Sequence, residues 1–340
     1  METFLMYFLF AIGIVLIVRG GDWFVDGAAW LAEVTGIPKF IVGATIISIA
    51  TTLPEIIVSS MAAVEGHKIL ISGVENYIIA SQEKVGMAIG NGIGSVICNT
   101  ALIMAISLIF LPIKIERKDF VPKALLLIGS VMALFILSLN GFLTVSGAVI
   151  LLIILVVYII ENVKSAKNTI SDSDEEPLKA DRRSVARHVM LIVVGAACIV
   201  LGSRLLVDNG GEIARNWGVS EAIIGVTIVA IGTSLPELVT AVAAVVKRHP
   251  SMSIGNVIGA NIIDTTLILS VCSFIYGGNL PVSVQNIRLD FPVAILVSLI
   301  AVVPTIIQKK FSRWQGVIMV VIYIAYLIMV TTEPEWIFGY

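Results

Sequence analysis

Ten stretches of this sequence stay apolar over roughly the 20 residues that a helix needs to cross a bilayer core. They lie at about 3–19, 37–64, 85–111, 121–139, 142–161, 188–208, 220–246, 252–276, 289–307 and 314–331. Lipid offers no partner to a backbone N–H or C=O, so each stretch must close its hydrogen bonds internally, as a helix. The fold class expected is therefore an all-α integral membrane protein of ten transmembrane helices. Composition agrees: of 340 residues, 58% are hydrophobic and 14% charged, where a soluble domain carries about 25% charged. Lys+Arg 22 against Asp+Glu 24 leaves a formal charge of -2, which offers no field to nucleic acid. Cys98, Cys198 and Cys272 all sit in apolar runs, with neither a disulfide framework nor zinc-ligand spacing. No cofactor is implied, and the sequence points to no protein partner; the lipid bilayer is the one large partner it demands.

The first stretch, METFLMYFLFAIG, has no basic leader and no small-residue cleavage site, so it reads as a retained span. Basic residues set the orientation. One set of alternate loops carries 17 Lys and Arg, from Arg19 and Lys39 to Lys309, Lys310 and Arg313; the other carries 5, Lys68, Lys84, Arg204, Arg215 and Arg288. This places the first set in the cytoplasm of a multi-pass plasma-membrane protein, with both termini extracellular. The polar connector 162–187 (NVKSAKNTISDSDEEPLKADRRSVAR) reads as a flexible cytoplasmic linker. It divides a first five-helix repeat, 1–161, from a second, 188–340.

The halves are related. Sliding the chain by 182 residues aligns 20–55 with 202–237, with fourteen of 36 positions identical. At an offset of 165, GNGIGSVICNTAL (90–102) faces GNVIGANIIDTTL (255–267). The difference of 17 is an insertion around EGHKILISGVENYIIASQEK (65–84), which the orientation puts outside the cell. Because five spans is an odd number, the second copy enters the membrane from the other side, giving an inverted-topology repeat with broken helices at the midplane, an architecture of secondary transporters.

The repeated positions are polar and helix-breaking, where packing alone would preserve apolar ones. The motif reads SIATTLPE (48–55) and AIGTSLPE (230–237). Pro54 and Pro236 each remove a backbone donor and free carbonyls in the preceding turn. Ser48, Thr51, Thr52 and Glu55 fall at i, i+3, i+4 and i+7 on one helical face, as do Ala230, Thr233, Ser234 and Glu237; at Ala230 only the carbonyl could serve. Ser95 and Asn99 are four apart, as are Ala260 and Asp264. Hydroxyls, carbonyls and carboxylates are the hard ligands of Na⁺ and Ca²⁺. Gly90, Gly94, Gly255 and Gly259 read as packing residues that let helices approach, since no strand or basic residue accompanies them as in a phosphate loop. The centre then holds Glu55, Glu237 and Asp264, with Asn99 at the fourth corresponding position and no Lys or Arg inside the nearby spans. A carboxylate at a helix centre costs about 2.5–3.5 kcal/mol on insertion scales, so the balancing charge must be a bound cation or a proton.

Paired GTSLPE-type segments, each followed by a GN-x-x-G-S/A block, resemble the two alpha-repeats of the cation/Ca²⁺ antiporter superfamily, and its prokaryotic sodium/calcium exchangers in particular. The resemblance implies a Ca²⁺ core from Glu55 and Glu237 with the Thr51 and Thr233 carbonyls. It implies flanking Na⁺ sites from Ser48, Thr52 and Ser95 and from Ala230, Ser234 and Ala260, with Asn99 and Asp264 lining the middle. It also implies exchange of Na⁺ for Ca²⁺ by alternating access, the first and sixth helices sliding over the other eight. Ser48, Ala50 and Thr52 stand where the family usually shows Ala, Gly and Ser. Ala260 replaces a usual serine, which removes one hydroxyl and keeps H⁺/Ca²⁺ exchange open as the alternative. A passive cation channel is the more distant one. An enzyme is not expected, because no Gly-x-Ser-x-Gly, His-Glu-x-x-His or membrane-buried His accompanies the serines. Asp26 and Asp208 match across the repeat and read as helix-end contacts, and His67, His188 and His249 as solvated.

Overall fold

The computed structural model describes residues 2–72, 77–110, 115–172, 181–217 and 230–332. Within them the chain runs α1 (Glu2–Thr35), α2 (Lys39–Thr51), α3 (Leu53–Ser72), α4 (Tyr77–Phe110), α5 (Arg117–Ser138), β1 (Phe142–Leu143), α6 (Val145–Asp172) and α7 (Arg182–Asn216). It continues through α8 (Ala230–Thr233), α9 (Leu235–Val246), α10 (Pro250–Tyr276), β2 (Leu280–Pro281), α11 (Asn286–Gln308) and α12 (Arg313–Thr332). Among the described residues 8 helices are long and apolar enough to cross a membrane, and α2 with α3 makes a ninth span bent by 43°. The seventh expected stretch, 220–246, is described only from Ala230, as α8 and α9, and residues 218–229 lie outside the described residues.

The helices overrun the stretches that announce them. α1 continues past 19 to Thr35, and α7 covers Arg182–Asn216 rather than 188–208. Hydropathy marks the part of a helix that meets lipid, whereas the helix continues wherever its polar ends find partners. Asp22 and Asp26 find Lys247, at 3.5 and 2.7 Å; Asp26 thus lies inside α1 rather than at a helix end. The insertion at 65–84 likewise extends α3 and α4 rather than forming a loop; 73–76 lie outside the described residues. Glu65 pairs with Lys84 at 3.2 Å, and the Ser81 hydroxyl donates to the Gly66 carbonyl at 2.7 Å. The connector 162–187 is helical at both ends, closing α6 and opening α7, and 173–180 lie outside the described residues. The three histidines are partnered rather than simply solvated. His67 meets the Tyr276 carbonyl at 2.8 Å, the His188 ring stacks on Trp30 at 4.1 Å, and His249 contacts Lys39 at 3.3 Å.

Loops sort to two ends. At one, Lys39 meets His249, the Ile115 N–H donates to the Lys309 carbonyl at 3.2 Å, and Lys123 reaches Ser165 at 2.9 Å. These segments belong to the lysine-rich set. At the other, β1 and β2 pair antiparallel in the register Phe142↔Pro281 and Leu143↔Leu280, and His67 docks beside them on the end of α10.

Between apolar tails and an apolar helix there is little hydrophobic gain, so helix association rests on close packing. α4 and α10 form the centre, with most of their apolar residues buried, while α1 and α7 bury far fewer and lie outside. α2 crosses α10 backbone to backbone: a Cβ on Gly255 would strike the Phe40 carbonyl, and one on Gly43 the Met252 carbonyl. A Cβ on Gly259 would lie 2.6 Å from the Ala44 carbonyl oxygen. Gly255 and Gly259 therefore pack as expected, whereas no described atom lies within 4 Å of a Cβ on Gly90 or Gly94. α1 and α7 meet through glycines two turns apart. A Cβ on Gly13 would lie 3.0 Å from the Gly202 carbonyl oxygen, one on Gly20 2.8 Å from that of Gly195, and one on Gly27 2.9 Å from that of His188. As one number rises the other falls, so the two helices run antiparallel. Gly13 and Gly20 are the 182-residue equivalents of Gly195 and Gly202, so the contact is reciprocal, as across a two-fold axis.

Candidate functional site

Pro54 and Pro236 cannot donate to the carbonyls of Ala50 and Gly232 four residues earlier, and the helix breaks two residues before each proline. Thr52 adopts φ -80, ψ -4 and its equivalent Ser234 φ -89, ψ 9, in the sparsely populated bridge region. Helix resumes at Leu53 and Leu235, which puts Glu55 and Glu237 in first turns, where the exposed N–H groups favour negative charge. The facing spans are locally unwound too. π turns cover Asn99–Met104 in α4 and Asp264–Ile268 in α10, starting at equivalent residues; such turns concentrate at functional sites.

These four deviations converge. Glu55, Glu237, Asp264 and Asn99 are at most 1% exposed, as are Ser48, Thr52, Ser234 and Ala260, while Thr51 and Ser95 are 2% exposed. Contacts between the candidates join one half to the other. The Thr52 hydroxyl donates to Glu237 Oε1 at 3.4 Å, Asn99 Nδ2 to Asp264 Oδ2 at 3.4 Å, and the Ser234 hydroxyl to that of Ser95 at 3.4 Å. Ser48 donates to the Thr45 carbonyl at 3.1 Å and accepts Thr52 on its own carbonyl at 2.6 Å. Thr233 is half-buried, and Ala230 belongs to α8, its side chain lying outside the described residues.

Among the described residues, both oxygens of Glu55, Glu237 Oε2, Asp264 Oδ1 and Asn99 Oδ1 are buried with no hydrogen-bond partner. Glu55 feels the charges of both Glu237 and Asp264. An isolated ionised carboxylate in such surroundings is strongly unfavourable. The ion pairs among the described residues join Lys39, Lys84, Lys164 and Lys247 to other acids. Lys123 is fully buried, yet its Nζ is held by the Asp119 carbonyl and Ser165, far along α5 toward the lysine-rich end. No three His, Cys, Asp or Glu side chains among the described residues close into a metal cage by themselves. An ion here must combine single carboxylates with hydroxyls, amides and carbonyls, the ligand style of hard, weakly held cations.

Sequence reasoning passed over Asn256. Its Oδ1 accepts from Thr51 at 3.3 Å and its Nδ2 donates to Thr240 at 3.0 Å, so it ties the first-half break to the helix that carries Glu237. Asn91, the matching residue, donates to Ser59 at 2.9 Å. Both are the second letter of the GN-x-x-G blocks, a visible signal overshadowed by the glycines. Another buried acid, Asp290, differs from Glu55, Glu237 and Asp264 because it accepts from Asn286 at 2.7 Å and Tyr326 at 3.1 Å.

The sodium/calcium exchanger protein family matches this chain over residues 5–163 and 187–332. The chain belongs to that family. Its relatives include the sodium/calcium exchanger MaX1 of Methanosarcina acetivorans, 27% identical over 95% of this chain and 97% of the relative. An uncharacterized membrane protein of Methanocaldococcus jannaschii is 33% identical over 93% of this chain and 94% of its own length. A structure of the sodium-calcium exchanger NCX_Mj, soaked with 10 mM Na⁺ and zero Ca²⁺, matches with a TM-score of 0.80 at 31% identity, covering 98% of this chain and 100% of that one. Membership makes this chain a multi-pass membrane protein that exchanges other cations for Ca²⁺.

Proposed function

We propose that this exchanger carries Ca²⁺ one way and Na⁺ the other across the cell membrane by alternating access, using a single buried ligand set for both. Glu55 and Glu237, with the Thr51 and Thr233 carbonyls, hold Ca²⁺. Ser48, Thr52 and Ser95 serve Na⁺ on one side and the Ala230 carbonyl, Ser234 and Ala260 on the other, with Asn99 and Asp264 between. The observation that carries this reading is the set of buried carboxylate oxygens left without a protein partner. They ask for positive charge that can come and go. Ca²⁺ and Na⁺ then compete for the same carboxylates, so each ion lowers affinity for the other, and exchange follows when the loaded site opens to alternate sides.

The scaffold proposed is ten spans in two inverted five-helix repeats, 1–161 and 188–340, joined by a cytoplasmic linker with both termini outside. The antiparallel, reciprocal α1–α7 contact and the equivalent breaks at Thr52 and Ser234 support the inversion. The gathering of lysine-rich loops at one end supports the orientation. The sodium/calcium names of MaX1 and NCX_Mj favour Na⁺ as counter-ion. Ala260, fully buried and without a hydroxyl, keeps H⁺/Ca²⁺ exchange as the second reading.

Isotopic Ca²⁺ flux in proteoliposomes separates the two. With Na⁺ and pH gradients imposed one at a time, uptake should follow an opposed Na⁺ gradient. Uptake driven equally well by a pH gradient alone would reject the Na⁺ assignment, and steady single-channel currents would reject exchange altogether.

A further inference from the structure

Asn256 lies outside the candidate ligand set, yet it bonds to both of the broken spans. Asn256, Thr51 and Thr240 are all buried. The Thr240 hydroxyl lies 2.8 Å from the Pro236 carbonyl and 3.0 Å from that of Glu237, and donates its one proton to this turn. Toward Asn256 it can then only accept. Asn256 therefore turns Nδ2 to Thr240 at 3.0 Å and Oδ1 to Thr51 at 3.3 Å, and Thr51 donates. That bond competes with the Ser48 carbonyl, 3.4 Å from the Thr51 hydroxyl. The Ser48 carbonyl already accepts the N–H and the hydroxyl of Thr52, at 3.0 and 2.6 Å. A buried path thus runs from the residue before the first break, through the Asn256 amide and Thr240, to the turn that carries Glu237. The amide rides on closely packed backbone, since its neighbour Gly255 leaves no room for a Cβ against the Phe40 carbonyl. Asn91, the 165-residue equivalent, donates to Ser59 at 2.9 Å. Thr240 follows Glu237 by three residues and Ser59 follows Glu55 by four, so hydroxyls at non-equivalent positions meet equivalent asparagines.

We propose that Asn256 is a positioning residue that sets the preference for Ca²⁺ over Na⁺. This rests on reading Glu237 and the Thr51 carbonyl as Ca²⁺ ligands. In that reading Ca²⁺ draws its ligands from both halves at once. Each Na⁺ set, Ser48 with Thr52 and Ser95 or Ala230 with Ser234 and Ala260, belongs to one half. The spacing of the two halves is therefore felt by Ca²⁺ first. Asn256 fixes that spacing by holding Thr51, and with it the direction of the Thr51 carbonyl, against the first turn of α9. Hydrogen bonds behind a ligand orient it toward the ion and raise its affinity.

The test uses the full chain in proteoliposomes and reads half-saturating Ca²⁺ and half-saturating Na⁺ separately. Asn256→Ala should raise the first about tenfold or more, the scale for losing a group that orients a metal ligand, and the second much less. Thr240→Val breaks one arm with little change of shape and should move the ratio the same way. Thr240→Ser, which retains the hydroxyl, should keep the parent ratio. Thr51→Val combined with Thr240→Val should cost less than the product of the two single losses, because either one releases the amide. Equal losses for both ions, an unchanged ratio in Thr240→Val, a Thr240→Ser as impaired as Thr240→Val, or losses that simply multiply would overturn the proposal. If Asn256→Ala does not fold, the two Thr240 variants decide it. A Glu237→Gln protein that still exchanges Ca²⁺ removes the ligand reading and this proposal with it. An inactive Glu237→Gln beside an unchanged Asn256→Ala removes the role of Asn256 alone.

Discussion

Glu55 and Glu237 close the same motif at the same kind of helix break, yet their surroundings differ. Glu237 receives a hydroxyl, Thr52, from the opposite half; the equivalent hydroxyl, Ser234, turns to Ser95 instead, and Glu55 has no hydrogen-bond partner among the described residues. The contrast extends through the site. The first half brings Ser48, Thr52, Ser95 and the neutral amide Asn99, while the second brings Ala230, Ser234, Ala260 and the acid Asp264. One half is rich in hydroxyls with one carboxylate; the other is poor in hydroxyls with two. Two matching helix breaks thus carry unequal side chains, and the two halves bring different donors to the centre.

The largest effect should come from the acids that the comparison sets side by side. Glu55→Gln and Glu237→Gln should each reduce Ca²⁺ flux by at least about 100-fold while the protein still purifies as a folded species. That figure follows from the several kcal/mol at stake when a buried charge loses its partner. Should Glu55→Gln transport normally, the two glutamates are not partners in one site. Next is the unequal pair Asn99 and Asp264. Asp264→Asn should weaken Ca²⁺ binding about tenfold, on the scale of a partly screened charge, and adding Asn99→Asp should restore much of it. Calorimetric titration of both variants decides whether the charge matters or only its position. Smaller still is Ala260→Ser, which returns a hydroxyl to the poorer half. It should improve apparent Na⁺ affinity about fivefold, the worth of roughly 1 kcal/mol from one polar interaction. A Na⁺ titration identical to that of the parent would show that this half does not lack a ligand there.

The smallest prediction concerns the end where Lys39 of one half meets His249 of the other. Burial, and then the nearby Lys39 ammonium, lower the His249 pKa from the ordinary value near 6.5. The folded protein therefore favours the neutral ring. Its stabilising share is complete above the unfolded value and is lost as pH falls through the lowered folded one. Thermal unfolding midpoints between about pH 8 and pH 5, where histidine titrates, should drop slightly more for the parent than for His249→Gln. Equal drops would show that the two loops are not electrostatically joined.

Spans were legible because lipid enforces a simple rule, but helix ends were not. α1 continues past its apolar stretch, where Asp22 and Asp26 meet Lys247 and Trp30 stacks on His188. The site's acids were legible for a related reason: a polar motif that recurs inside apolar helices has few explanations. What a repeat comparison cannot reveal is what the halves do not share. Thr240, which Asn256 uses to link the two breaks, is equivalent to Val58, while Ser59, the partner of Asn91, is equivalent to Ala241.

The glycine seam between α1 and α7 has a mechanical consequence. Backbone comes close to backbone at three levels two turns apart, with Ile17, Phe24, Ile192 and Cys198 packed around the contacts. A Cβ at Gly13, Gly20, Gly195 or Gly202 would meet the backbone of the neighbouring rod, so the pair stays this close only while those positions lack side chains. A residue larger than glycine at Gly13, Gly20 or Gly202 would therefore pry the two rods apart along the seam rather than disturb one wall of it.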